Sequence, residues 1–310
     1  MDILILILGL VILLISGELL VRGAVAVAIK MNISSLVIGL TVVSLGTSAP
    51  ELLVSLKSAI KGHPDISLGN VVGSNISNLG LVLGFTVLIF PIIVENDSIK
   101  IDWPVMMLAS LLCYYLALDN ELIFWEGVLF LLIIVSYITF SIMRSRKKRN
   151  ASGIEEYRKE QQRPLLIALI FVAFGCAGLI YGSDFLLDGA VGIAKKLGVS
   201  EKVIAVSLVA FGTSVPELFT SGIAAFKKET DISVGNLIGS NIFNILVILG
   251  ITSLFHDLQV SEEILQKDIF WMLGISFLIF TFMLHKNKLH RWKGGVLLIY
   301  YILYIVFSFA

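Results

Sequence analysis

Apolar residues run along the chain in blocks of about 16 to 25, separated by short polar stretches. A helix of about 20 apolar residues spans a bilayer core, so the pattern predicts an all-α membrane protein. Ten spans are expected, over residues 2–30, 33–60, 68–94, 102–118, 121–144, 164–195, 198–226, 234–255, 268–285 and 292–309. The only long hydrophilic stretch is RSRKKRNASGIEEYRKEQQR, 144–163. It is too short and too polar to bury a core, and reads as a linker. The expected organisation is a first five-helix unit over 1–143, a linker over 144–163 and a second five-helix unit over 164–310.

Composition agrees with the pattern. The chain is 57% hydrophobic and 15% charged, against about 25% charged in soluble domains. Net charge is zero, so only its placement is informative. Lys and Arg crowd the linker and the loops on its side, with Lys30, Lys100, Lys227, Lys228, Lys286, Lys288, Arg291 and Lys293. By the positive-inside rule the linker is cytoplasmic and both termini lie outside, in the cell membrane. The start MDILILILGL has no basic n-region or cleavage site, and is expected to be a retained span. Trp103, Trp125, Trp271 and Trp292 each begin a span, where interfacial anchors are expected. Cys113 and Cys176 lie in apolar blocks and read as small core residues.

The two halves repeat. An offset of 166 residues relates Glu51 to Glu217, Gly46-Thr47-Ser48 to Gly212-Thr213-Ser214, and DISLGNVVGSNISN (65–78) to DISVGNLIGSNIFN (231–244). About 70 residues align without a gap, and the matching positions are mostly polar. Five spans is an odd number, so the second unit enters the membrane from the opposite side. That is an inverted repeat, an architecture of secondary transporters.

The repeat carries GTSAPELLVS from Gly46 and GTSVPELFTS from Gly212, each an acid and a helix breaker inside an apolar run. Pro50 has no N–H and its ring clashes with the carbonyl four residues back, so spans 2 and 7 are expected to be broken. Carbonyls freed at membrane depth are tolerated where they line a cavity or bind something. Ser44, Thr47, Ser48 and Glu51 share one helix face, as do Ala210, Thr213, Ser214 and Glu217. Ser74 and Asn78, and Ser240 and Asn244, are four apart on spans 3 and 8. The inverted repeat brings the two glutamates together near the midplane. Like charges that close conflict, and a bound cation removes the conflict. Many oxygens without His or Cys point to a hard ion such as Ca2+, Na+ or K+. Glu18 and Arg22, four apart on span 1, are expected to pair.

The two GTSxPE segments, each followed by GNxxGSNIxN, resemble the alpha repeats of the cation/calcium exchanger superfamily, and most of all the prokaryotic sodium/calcium exchangers. The resemblance covers essentially the whole chain. It implies an antiporter exchanging three Na+ for one Ca2+, with Ca2+ held by Glu51 and Glu217 and by backbone oxygens of Thr47 and Thr213. It implies Na+ sites at Ser44, Thr47, Ser48 and Ser74, and at Ala210, Thr213, Ser214 and Ser240. Spans 1 and 6 are implied to slide across a rigid core. Proton/calcium exchangers resemble GNAxE where this chain has GTSxPE, and potassium-dependent exchangers carry Asp where it has Asn244. The middle position, Asn78 and Asn244, therefore stays open.

Rival readings are weaker. A cation channel needs no counter-ion and ordinarily has a multimeric filter, which an inverted repeat does not favour. An intramembrane hydrolase needs Ser, His and Asp to converge, yet all four His lie in loops or at span ends. The protein is thus expected to be no enzyme, to use no cofactor, to bind no nucleic acid and to work as a single chain in lipid. Its oligomeric state is not legible in the sequence.

Overall fold

The structure, a computed structural model, describes residues 2–61, 65–152, 164–197 and 212–308. It is helical nearly throughout. In chain order the helices are α1 (Asp2–Met31), α2 (Ser35–Thr47), α3 (Ala49–Ile60), α4 (Ile66–Ile89), α5 (Ser98–Asp119), α6 (Phe124–Lys148), α7 (Leu165–Lys196), α8 (Val215–Phe226), α9 (Thr230–Phe255), α10 (Ile264–Leu284) and α11 (Arg291–Ser308). Among the described residues seven are long and apolar enough to cross a membrane, or eight if α2 and α3 form one span. The first part of the span expected over 198–226 lies outside the described residues; α8 is its remainder.

Two helices, α4 and α9, form the centre. Of their apolar windows 72% and 83% are buried, against about a third or less for the other spanning helices. Their glycines and small polar residues let neighbours approach closely, as membrane helices require where no hydrophobic effect drives association. A second apolar cluster joins α1 and α7 to α2 and part of α8. The contact between α1 and α7 depends on missing side chains: a Cβ on Gly175 would stand 2.7 Å from the Leu20 nitrogen. Asp2 and Lys196, 2.7 Å apart, tie the ends of this pair.

Four two-residue strands fix how the halves meet. β1 (Ile92–Ile93) and β2 (Glu121–Leu122) stand at opposite ends of α5; β3 (Leu258–Gln259) and β4 (Lys288–Leu289) stand at opposite ends of α10. β1 pairs with β4, and β2 with β3, both antiparallel. Thus α5 and α10, equivalent at the offset of 166, run in opposite directions. The same offset relates two pairs of π-helical turns: Asn78–Val82 to Asn244–Leu249, and Ser98–Asp102 to Ile264–Asp268.

The tryptophans divide. Trp125 and Trp292 are 72% and 60% exposed, as interfacial anchors should be. Trp103 and Trp271 are not anchors of that kind. The Trp103 indole donates to the Ser276 carbonyl at 2.7 Å and stacks on Phe280, while Trp271 packs edge-on against Tyr300. A protein carbonyl within reach satisfies an indole N–H as well as the headgroup region does. The thiols of Cys113 and Cys176 are free, in keeping with their expected packing role. Glu18 accepts from Arg22, as its spacing predicts, and also from Lys227 beyond α8.

Candidate ion-binding site

The break in span 2 lies where Pro50 predicts it. Ser48 leaves the helical region (φ −84°, ψ 8°), Pro50 takes the first turn of α3, and α2 and α3 meet at 47°. The second half repeats this: Ser214 has φ −87°, ψ 0°, and Pro216 stands in the first turn of α8. Not every carbonyl before the break is released. Ser44 keeps a helical partner, since its carbonyl accepts the Ser48 N–H at 2.9 Å and the Thr47 hydroxyl at 3.3 Å. The group deprived of a partner by Pro50 is the Gly46 carbonyl.

Each glutamate falls in the first turn of its half-helix. The positive end of the helix dipole favours a carboxylate there. Both are fully buried, and they lie close enough for their charges to interact. The Ser48 hydroxyl donates to Glu217 Oε1 at 3.2 Å. Thr47 and Ser240 also face Glu217, and Thr213 faces Glu51. Both oxygens of Glu51 and Oε2 of Glu217 have no hydrogen-bond partner.

Most of the residues expected from the sequence are buried. Ser44, Thr47, Ser48, Ser74, Asn78, Ser214, Ser240 and Asn244 are buried, and Thr213 is half-buried. The Ser44 hydroxyl is turned into packing, donating to the Gly39 and Asn236 carbonyls at 2.7 and 3.0 Å. Asn78 has neither side-chain atom partnered, and Asn244 Oδ1 and Ser214 Oγ are likewise open. Ala210 lies outside the described residues. Asn78 and Asn244 each begin a π-helical turn, a local widening often found at functional sites.

Sequence reasoning passed over four asparagines that hold this constellation. Asn75 and Asn241 each donate an amide to the other's backbone carbonyl at 3.3 Å. Asn75 Oδ1 accepts the Asn244 amide at 3.0 Å. Asn236 accepts the Thr47 hydroxyl and donates to Ser221, both at 3.0 Å. Asn70 donates to Ser55 at 3.0 Å in the equivalent place. The available signal was their presence, at matching positions, in both copies of GNxxGSN.

Acceptor oxygens outnumber donors here, and among the described residues no three His, Cys, Asp or Glu groups come together. Two carboxylates amid hydroxyls and amides suit hard cations, not soft or imidazole-seeking metals.

A bundle with broken spans around buried acids is the form of an ion transporter, and comparison with known proteins specifies which. The sodium/calcium exchanger protein family profile matches residues 1–143 and 167–310. The chain belongs to this family of antiporters. It is 37% identical to the putative antiporter CaxA of Alkalimonas amylolytica, over 97% of each chain. It is 32% identical to the sodium/calcium exchanger MaX1 of Methanosarcina acetivorans, over 99% and 98% of the two chains. It superposes on the sodium-calcium exchanger NCX_Mj with a TM-score of 0.84 at 33% identity, over 98% of each chain.

The asparagine clamps yield a prediction. Asn236→Ala takes the amide donor from the buried Ser221 hydroxyl and leaves Thr47 its longer contact to the Ser44 carbonyl, at a cost of about 1–3 kcal/mol. A lower thermal midpoint in detergent is expected; an unchanged midpoint would remove Asn236 from this role.

Proposed function

We propose that the protein is an electrogenic Na+/Ca2+ antiporter that exchanges three Na+ for one Ca2+ by alternating access. The observation that carries this reading is the pair of fully buried glutamates, three of whose four carboxylate oxygens lack a donor. In a dry interior such a pair needs a counter-charge. Ca2+ supplies two positive charges and neutralises it; three Na+ leave the site at +1. Glu51 and Glu217 hold Ca2+ with backbone oxygens of Thr47 and Thr213. Na+ occupies flanking sites at Ser44, Thr47, Ser48 and Ser74, and at Ala210, Thr213, Ser214 and Ser240. Asn78 and Asn244 complete or orient the centre as neutral ligands.

The architecture behind this is ten spans in two inverted five-helix repeats, 1–143 and 164–310, joined by the linker 144–163. The opposed directions of α5 and α10 support it, as do the matched breaks after Ser48 and Ser214. Inverted halves can exchange roles, so one site opens to each side in turn. The α1–α7 pair is the moving element; it packs through an apolar cluster distinct from the larger one centred on α4 and α9. The linker is cytoplasmic, both termini are outside, and a single chain suffices, without a cofactor. The direct test is 45Ca2+ uptake into proteoliposomes with and without an imposed sodium gradient; uptake indifferent to that gradient would refute exchange.

Three outcomes are expected. Glu51→Gln and Glu217→Gln should each abolish sodium-driven calcium flux in protein that remains folded by size-exclusion chromatography. Retention of more than roughly half the flux in either would remove that glutamate from the site, given that each supplies half the compensating charge.

Flux should respond to a valinomycin-imposed potential, because each net charge moved is worth about 2.3 kcal/mol per 100 mV. A response of zero would exclude three-for-one exchange.

Potassium should not be required, since an amide at Asn244 offers an oxygen but no charge to offset another cation. Calcium flux measured with choline replacing potassium at clamped potential checks this; flux that appears only with potassium would overturn it.

A further inference from the structure

A second set of acids lies away from the central glutamates. A cavity of about 460 Å3 opens beside β1, between the start of α2, the end of α6 and the turn from α8 to α9. Five acids and three bases line it. Two of the bases are engaged: Arg144 and Lys148 bind Asp97 at 3.2 and 2.5 Å. Burial opposes ionisation of Asp97, but these two cations outweigh it and hold its carboxyl below the usual range. Glu95, Asp102, Glu229 and Asp231 remain, with Lys228 as the third base.

Two features mark these acids as awaiting a cation. Asp102 is only 3% exposed; the Tyr137 hydroxyl donates to its Oδ1 at 2.8 Å, and Oδ2 has no partner. Glu95 and Asp231, brought from separate elements, line the same cavity. The Asp102–Tyr137 contact recurs in the other half, where Asp268 faces Tyr304, so that contact alone reflects the fold. Asp97 and Asp231 also recur as acids, at Glu263 and Asp65, but the other two do not. The position equivalent to Glu95 is Ser261, and the one equivalent to Glu229 is His63. Glu95 and Glu229 are therefore particular to this end of the molecule, not a demand of the repeat.

The cavity is distinct from the central site. Between them the α2 and α9 backbones touch: a Cβ on Gly235 would stand 2.7 Å from the Leu36 carbonyl oxygen, and one on Gly39 2.9 Å from that of Ile232. No three of the carboxylates converge on one point. That spacing does not suit a dry ion caged by protein oxygens. It suits a divalent cation that keeps several waters and takes one or two carboxylates directly, as Mg2+ does.

We propose that this cavity binds one partly hydrated divalent cation, with Glu95 and Asp231 as its carboxylate partners and Asp102 reached through bound water. Mg2+ and Ca2+ share the required chemistry. The inference does not depend on exchange stoichiometry or on which glutamates carry transport.

The test uses the full chain bearing Glu51→Gln and Glu217→Gln, so that central binding is disabled, titrated with Mn2+ and read by electron paramagnetic resonance. One Mn2+ per chain should remain bound. Competition by added Mg2+ at lower concentration than Ca2+ identifies the Mg2+-like ion, and the reverse order identifies Ca2+; competition by neither overturns the proposal. Adding Glu95→Gln, at an exposed position that folding does not require, should weaken binding about tenfold or more. Asp231→Asn should do the same in protein that elutes as the parent does. Absence of bound Mn2+ in the parent double variant, or binding indifferent to Glu95→Gln, would overturn the proposal. Failure of the central assignment reads out separately, as sodium-driven flux surviving in the double variant.

Discussion

Two carboxylates buried near one another in an apolar bundle set the terms for the rest of this structure. A charge removed from water costs several kcal/mol even after relaxation, and two like charges compound the cost. The surroundings of Glu51 and Glu217 all bear on it. Each acid takes the first turn of a half-helix, whose dipole favours negative charge. Hydroxyls of Ser48, Thr47, Thr213 and Ser240 face them. In the proposed exchange, what these groups leave unsatisfied falls to the transported ion, so the cost of burying the acids becomes a source of affinity.

Holding such groups in place needs a rigid frame. Asparagine supplies it, because one amide both donates and accepts and carries no charge. Asn75 and Asn241 lock α4 to α9 through reciprocal amide–carbonyl bonds, and Asn236 joins α9 to Thr47 on α2 and to Ser221 on α8. The glycines between them let α2 and α9 approach until backbones touch. Frame and ligands are thus drawn from the same few helices. The α1–α7 pair packs against one side of this frame through an apolar cluster shared with α2 and α8, and has its own end-to-end ion pair.

The halves are alike at the centre and differ toward one face. Breaks, glutamates and asparagine clamps recur at one offset, whereas Glu95 and Glu229 give way to Ser261 and His63. Symmetry around the buried acids is what the proposed alternating access requires.

The sequence alone determined the helical membrane class, most span positions, the repeat, the break at Pro50 and the two acids. These follow from local rules: bilayer thickness sets the length of an apolar run, proline cannot donate, and a carboxylate among apolar residues stands out. Tertiary structure decided what depends on partners. It turned Trp103 inward toward the Ser276 carbonyl, kept Ser44 in backbone hydrogen bonds, and put the first residue of a π-helical turn at Asn78 and at Asn244. It also paired β1 with β4 and brought Glu95 and Asp231, residues 136 positions apart in the chain, to one cavity. No periodicity encodes such meetings, because they arise only when helices from opposite halves pack, and the partner that satisfies a polar group is chosen by that packing.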